Sequence, residues 1–311
     1  MSETPERLIT SAAPARLPLP DWPQGWYAVA RSRDLPRGGV RRLKLADDEV
    51  VLFRTATGVP GALDAFCPHM GAHLAHGRVA GEHLQCALHC WRIGVDGAIA
   101  GRDERARTWR VREAHGLVLI ELGPGATPPA AGDEGFGWTG IAPLDIAAPW
   151  HALMANAFDM PHLCTVHHRA LLAPPEITHE PGRAFSLHYV SRVTGTGLSD
   201  RVMKWLSGDR IDVRLTCHGS MLVVETDLGF TRTAAVVGMV PTEKGTQLNA
   251  AFGVRRGPLL GLRLALTRWL FGAFLRRDLG IVEGMRLRTD VDDATLQALF
   301  DFLRSRRRAR R

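Results

Sequence analysis

Long hydrophobic runs are missing from this 311-residue chain. The most apolar stretch, Pro258 to Leu275, is interrupted by Gly261, Arg263, Arg268 and Gly272, so a buried or partly buried helix is expected there rather than a membrane span. The segment Met1 to Pro20 mixes acids, proline and alanine without a basic stretch followed by an apolar one. No secretory leader is read in it, and a cytoplasmic location is expected. Internal repeats are absent, and so is the glycine-rich strand-to-helix fingerprint of a dinucleotide or flavin site. Cysteine is scarce. Five cysteines in a chain expected to be cytoplasmic do not suggest a disulfide framework, and two of them sit at spacings that suit metal ligation.

Hydrophobic residues make up 45% of the chain, enough to bury one large core or two moderate ones, which excludes disorder for most of it. The formal charge of +7 would suit a nucleic-acid binder, but six arginines fall within Arg304–Arg311 and removing them leaves about +1. Nucleic acid is therefore not an expected partner. The arginine block itself reads as a solvated, frayed tail.

Short β-prone runs punctuated by glycine fill the first part: Trp26–Ala30, Arg41–Leu45, Val50–Arg54, Val59–Phe66 and Leu117–Glu121. Runs of that length with turn signals between them predict a small antiparallel β-domain. Gly123–Gly137 is dominated by Gly, Pro and Ala and reads as a linker. Beyond it, Ile146 to about Leu172 is partly helical in pattern, Phe185 to Val254 is extended, and Leu259 to Arg304 is helical again. Helices bracketing sequential strands, with no βαβ alternation, predict an α+β domain around an antiparallel sheet. The expected division is 1–24 as an N-terminal extension, 25–122 as the β-domain, 123–137 as linker, 138–303 as the second domain and 304–311 as basic tail.

Two loops carry the first chemical signal. Cys67-Pro68-His69 and Cys86-Ala87-Leu88-His89 form C-x-H-x16-C-x2-H. Each arm offers one thiolate and one imidazole, so both sulfurs can bind one iron and both imidazoles the other, the Rieske division of a [2Fe–2S] cluster. A single Zn²⁺ held by the same four residues is the competing reading, although zinc sites more often pair like with like. Gly71 and Gly77 permit tight turns, and Trp91 follows the second arm.

With Gly25-Trp26-Tyr27, the loop Phe66 to Leu74, and Trp91, the sequence resembles the Rieske non-haem iron oxygenases, in the terminal oxygenase component. Its cast is nearest to the steroid hydroxylase and sterol desaturase group. The positions where respiratory Rieske proteins carry a disulfide are Ala72 and Leu88, which favours the oxygenase branch. Cys90 stands where the family usually has glycine, and would either crowd the loop or pack. The fold implied is an antiparallel β Rieske domain followed by a catalytic domain whose antiparallel sheet is flanked by helices, of the helix-grip type.

Asn156, Asp159, His162 and His167 form the second signal, N-x2-D-x2-H-x4-H. Asp159 and His162 can share a helical face, but His162 and His167 diverge on a regular helix and need a break, for which Pro161 offers a reason. Two imidazoles and a carboxylate make the facial triad that holds Fe(II) with positions left open. The resemblance implies that His162 and His167 are ligands, and that Asp159 bridges to a cluster histidine of a neighbouring subunit. It places Asn156 near the iron, where ordinary capping is the alternative. His168 is not expected to ligate. The third ligand is sought among Asp278, Glu283, Asp290, Asp292 and Asp293. Asp278 is preferred because its segment follows an apolar run and resembles the family's distal carboxylate, Glu283 stands second, and the last three read as acids before a helix.

These implications amount to an oxidoreductase that uses Fe(2+), a [2Fe–2S] cluster and O2 to hydroxylate, demethylate or desaturate a small hydrophobic, steroid-like or aromatic substrate. Its electrons would come from a ferredoxin, an NAD(P)H-dependent reductase, or both. A head-to-tail homotrimer is expected. A Rieske electron carrier with a non-catalytic ligand-binding domain is the alternative.

Overall fold

The computed structural model describes residues 17–132, 134–181 and 183–307. The first part contains strands β1 (Gly25–Arg31), β2 (Val40–Leu45), β3 (Asp48–Arg54), β4 (Pro60–Asp64), β5 (Arg78–Ala80), β6 (His83–Gln85), β7 (Arg92–Gly94), β8 (Thr108–Trp109), β9 (Val111–Ala114) and β10 (Leu117–Leu122). They form three small antiparallel sheets, ordered β1-β10-β9, β2-β3-β4-β8 and β5-β6-β7. Strand β3 is buried on both faces from Val50 to Arg54, which explains its unbroken apolar run. The sequence did not signal β5 to β9. They are two to four residues long, too short for an alternating pattern to show.

Beyond residue 122 the order is β11 (Phe136–Gly140), β12 (Leu144–Ile146), α1 (Trp150–Phe158), α2 (Met160–Thr165), β13 (Arg169–Leu171), β14 (Glu176–Glu180), β15 (Ala184–Val193), α3 (Leu198–Ser207), β16 (Ile211–Cys217), β17 (Met221–Asp227), β18 (Arg232–Thr242), β19 (Gly245–Arg255), α4 (Leu260–Val282) and α5 (Ala294–Ser305). Nine strands make one antiparallel sheet: seven follow the path β11-β19-β18-β17-β16-β15-β13, while β12 pairs with β19 and β14 with β15. Strand β16 alternates as such a sheet requires, burying Ile211, Val213, Leu215 and Cys217 between less buried neighbours. Strands β1 and β10 lie on the back of the sheet, where Trp26, Ala28, Leu117 and Leu119 pack with Met221, Val223 and Val236, and Asn249 Nδ2 donates to the Ala28 carbonyl at 2.9 Å. Gly238 faces Ala28 there at a distance that leaves no room for a Cβ.

Three expectations need correction. The extended region Phe185–Val254 contains a ten-residue helix, α3, and the helical region Leu259–Arg304 is split by the non-helical segment 283–293. Gly284, at φ +73°, turns the chain after α4, and Asp293 caps α5 by accepting from Leu296 N at 2.9 Å. The arginine block is also not wholly a frayed tail. Arg304 lies in α5, and Arg306 is buried, donating from Nη2 to the Gln24 carbonyl at 2.8 Å while its own carbonyl accepts from Gln24 N. Residues 308–311 of that block, and 1–16 of the N-terminal extension, lie outside the described residues. Among the described residues no helix is long and apolar enough to cross a membrane.

Candidate metal centres

The two Cys–His arms are structurally equivalent loops. In each, the cysteine carbonyl accepts from the amide four residues on, Gly71 N in one and Cys90 N in the other, at 2.9 and 3.1 Å. Both of those residues occupy the left-handed region, Gly71 at φ +72° and Cys90 at φ +57°. This is the physical reason a glycine belongs at position 90. The Cys90 side chain is exposed, so it neither packs nor crowds the loop.

Cys67 and Cys86 are buried at the base of the arms, while His69 and His89 are exposed at the tip with ring centroids 4.6 Å apart. Burial pushes the Cys67 thiol up, and the adjacent Cys86 thiol adds to this. The donor set thus suits a cationic cluster that would stabilise the thiolates inside and take the imidazoles outside. Trp91 stacks on His69 at 4.3 Å, and the Arg102 guanidinium lies 3.8 Å from the Trp91 ring centroid. Arg102 was not singled out from sequence. His73, by contrast, is structural: Nδ1 accepts from Ala75 N, and Nε2 lies 3.3 Å from Glu49.

The second centre forms where α1, α2 and α4 meet the open face of the large sheet. Helix α1 ends at Phe158, and Asp159 adopts an extended conformation (φ −81°, ψ 102°) before α2 begins. One break falls at Asp159, two residues before Pro161, and the break that separates His162 from His167 falls where α2 ends after Thr165. Pro161 sits in the first turn of α2, where a missing N–H costs nothing. Asp159 Oδ1 accepts from His162 N at 2.9 Å and caps α2. Among the described residues no hydrogen bond runs from Asp159 to the His162 ring. Both Asp159 and Asn156 are half-buried and line the cavity described below.

His162 projects from α2 and His167 from the turn after it, and Asp278 reaches them from α4. His162 Nε2 and His167 Nε2 are 3.2 Å apart, and each lies 2.8 Å from the same oxygen, Asp278 Oδ1. Ligand atoms of all three converge within 4.8 Å of one another. Two imidazole nitrogens and a carboxylate oxygen brought this close form a donor set that fits a divalent cation. Burial pushes His167 below the usual imidazole range, against the pull of Asp278, which keeps its lone pair free. Burial would raise Asp278, but its contacts with His167 and His162 outweigh this and hold it below the usual carboxylate range.

The other candidate acids are elsewhere. Glu283 is exposed at the end of α4, Asp290 pairs with Arg288, Asp292 is exposed and Asp293 caps α5. His168 is also exposed, at φ +52°.

Two features that sequence reasoning missed hold His167. Phe274 stacks on its ring at 3.5 Å, with planes 4° apart. Its carbonyl accepts from Arg169 Nη1 at 2.9 Å and Arg277 Nη1 at 3.3 Å, and both arginines are tied to Asp200, at 3.5 and 2.6 Å. Asp200 is 2% exposed. A Cβ on Gly195 would sit 2.3 Å from its Oδ2, so glycine is required there.

The triad closes one end of a cavity of about 420 Å³, walled by Leu215, Leu222, Val237, Met239 and Phe271 among other apolar side chains. Residues 25–112 match the family profile described as Rieske [2Fe-2S] domain. The chain carries a Rieske [2Fe-2S] domain in its first part. Among curated relatives, the cholesterol 7-desaturase nvd of Bombyx mori is 33% identical over 176 residues, 51% of this chain and 38% of that protein. The oxygenase component of 3-ketosteroid-9-alpha-monooxygenase from Rhodococcus rhodochrous is 27% identical over 164 residues, 47% of this chain and 43% of that protein. The matches thus span less than half of either relative. The likeness in fold extends further: dicamba monooxygenase bound to dicamba superposes with a TM-score of 0.66 at 19% identity, covering 90% of this chain and 97% of that one. NdmA of Pseudomonas putida with caffeine gives 0.65 at 17%, over 90% and 88%.

Proposed function

We propose that this chain is the oxygenase component of a Rieske non-haem iron system that hydroxylates, demethylates or desaturates a hydrophobic, steroid-like or aromatic substrate. The observation that carries the reading is the convergence of His162, His167 and Asp278 on one point at the end of an apolar cavity. Cys67, His69, Cys86 and His89 would hold a [2Fe–2S] cluster and the triad would hold Fe(II). A bound cluster supplies single electrons, and a bound Fe(II) supplies reductive activation of O2.

The protein's own part is positioning and exclusion. The apolar walls take up the body of the substrate and keep water from its reacting carbon. Phe274 and the Arg169–Asp200–Arg277 network fix the ring and carbonyl of His167. Asp159 caps α2 and so sets the direction of His162. Its half-buried carboxylate is free to accept a second hydrogen bond from a neighbouring subunit in a cyclic trimer, while Asn156 lines the cavity nearby. Electrons come from a separate reductase or ferredoxin, since the chain has no nucleotide fingerprint of its own.

The test is iron and acid-labile sulfide on anaerobically purified protein, with the EPR spectrum of the reduced state. Three irons and two sulfides per chain with a Rieske signal are expected. Two irons with that signal would favour the electron carrier, and zinc without sulfide would overturn the reading.

A further inference from the structure

The cavity that ends at the triad has a second polar end. Helix α4 runs along the cavity from Arg263 to Asp278, a span of 15 residues or about 22 Å at 1.5 Å per residue. Between these ends its lining is apolar, through Leu266, Leu270, Phe271 and Phe274. The lining also includes Thr226, Thr231, Thr233 and Thr267, of which Thr231 meets the Arg263 guanidinium. Arg263 is half-buried, and its Nη2 donates to Thr231 Oγ1 at 2.5 Å. Its Nη1 lies against Gly257, where a Cβ would approach to 3.1 Å.

The charges at this end are unbalanced. Two other arginines line the cavity, Arg169 and Arg277, and both are tied to Asp200. Arg263 makes no ion pair with any carboxylate among the described residues. The cleft into which the cavity opens there is bordered by Arg232, Arg255, Arg256 and Arg263 against a single acid, Asp227. That acid is committed, accepting from Arg232 Nε at 3.0 Å and Gly229 N at 2.8 Å. A half-buried guanidinium with spare donors, in a rim of excess positive charge, selects an anion over a neutral oxygen.

We infer that Arg263 is a substrate-recognition residue, and that the substrate is an elongated hydrophobic acid whose carboxylate meets Arg263 while its apolar body extends to the triad. This rests on the proposed function only in taking the cavity as the substrate site. Specificity would then lie at both ends of one helix, with Asp278 fixing the reacting carbon and Arg263 fixing how far the substrate enters.

The experiment is equilibrium binding of 5β-cholanic acid and of its 24-alcohol to the full-length purified protein, by calorimetry at low salt. The acid is expected to bind about tenfold more tightly than the alcohol, the factor one charge-assisted hydrogen bond supplies. Arg263→Gln should reduce that preference to about twofold or less by weakening the acid alone. Arg268→Gln, on the exposed face of α4, controls for general charge and should leave the preference intact. Equal affinity for acid and alcohol, failure of both to bind, or a preference that survives Arg263→Gln overturns the inference. Because the readout is binding, it stands apart from the oxygenase reading: Asp278→Ala should abolish turnover yet keep the preference for the acid.

Discussion

Replacing Asp200 with asparagine isolates the charge of the network behind His167, because the side chain keeps its shape. Asp200 is 2% exposed and Arg169 8%, so the variant leaves a buried guanidinium without a counter-charge, with only neutral acceptors: the carbonyls of His167 and His168 and the amide oxygen of the new side chain. Arg277 retains some access to water and suffers less. Removing one partner of a buried pair costs about 3–5 kcal/mol, and the remaining acceptors place this case near the lower end, about 3 kcal/mol. At about 2–4 °C per kcal/mol for a unit of this size, Tm should fall by about 6–12 °C. The mononuclear metal should also bind about 10–100-fold more weakly, since the His167 main chain loses its anchor.

Acid provides a second check on the same variant. Burial pushes Asp200 up, but Arg277 and then Arg169 pull it further down, leaving it below the usual carboxylate range. A depressed folded value means that its contribution is fully present above the unfolded value of about 3.9 and is lost as the pH falls through the folded one. Thermal melts from pH 7 to pH 3 should therefore show a gap between wild type and Asp200→Asn that is constant to about pH 5 and narrows below pH 4. A variant with unchanged Tm and unchanged iron at pH 7 would refute the argument, and so would a gap that widens in acid.

Three further outcomes can be checked on the same footing. Asp278→Ala should lower iron from three to two per chain while the Rieske EPR signal is unchanged, because it removes one convergent ligand atom and touches neither arm. Cys90→Gly should stabilise the Rieske domain by about 0.5–1 kcal/mol, the left-handed penalty of about 1–2 kcal/mol less the entropy that glycine adds to the unfolded chain. Gly71→Ala in the equivalent loop should destabilise by a similar amount, and melts followed by the visible absorption of the cluster would read both. Gly195→Ala should lower Tm by displacing Asp200, at about 1–3 kcal/mol for an overpacked buried site, with loss of mononuclear iron as its companion sign.

The parts of this protein that were legible in sequence are those encoded over short distances. Each Cys–His arm is a few residues in a tight loop, so spacing alone sets Cys67, His69, Cys86 and His89 apart as a candidate donor set, and the structure brings the two arms together. The break between His162 and His167 was legible for the same reason, although the sequence pointed to Pro161, which sits in the first turn of α2, and the structure makes that break after Thr165. Elements whose reason is nonlocal were not legible. Helix α3 interrupts a stretch of strands, and the residue that ties it to the site, Asp200, looks like any acid on an exposed helix until Arg169 and Arg277 are placed around it. One sign was present in Gly195-Thr-Gly197, two glycines just ahead of that acid, and both approach its carboxylate closely.

The choice of Asp278 over Glu283 has a physical basis in the sequence beyond any resemblance. On α4 the residues Phe271, Phe274, Leu275, Asp278 and Val282 recur at helical spacing, and all five line the cavity. An aspartate within such a stripe is buried by the packing of its apolar neighbours, and an isolated buried carboxylate is too costly to persist without compensation. Glu283 lies one residue past the stripe, at the end of the helix, and is exposed. The periodicity therefore singles out the one acid of the five that must find cationic or hydrogen-bonding partners inside the protein, and the partners in reach are His162 and His167. Arg263 lies on the same side of the helix two turns before Phe271, and the same reasoning applies to it with the sign reversed. It is a cation on the cavity wall with a threonine hydroxyl and no carboxylate partner among the described residues, so the counter-charge it needs is one the substrate can bring.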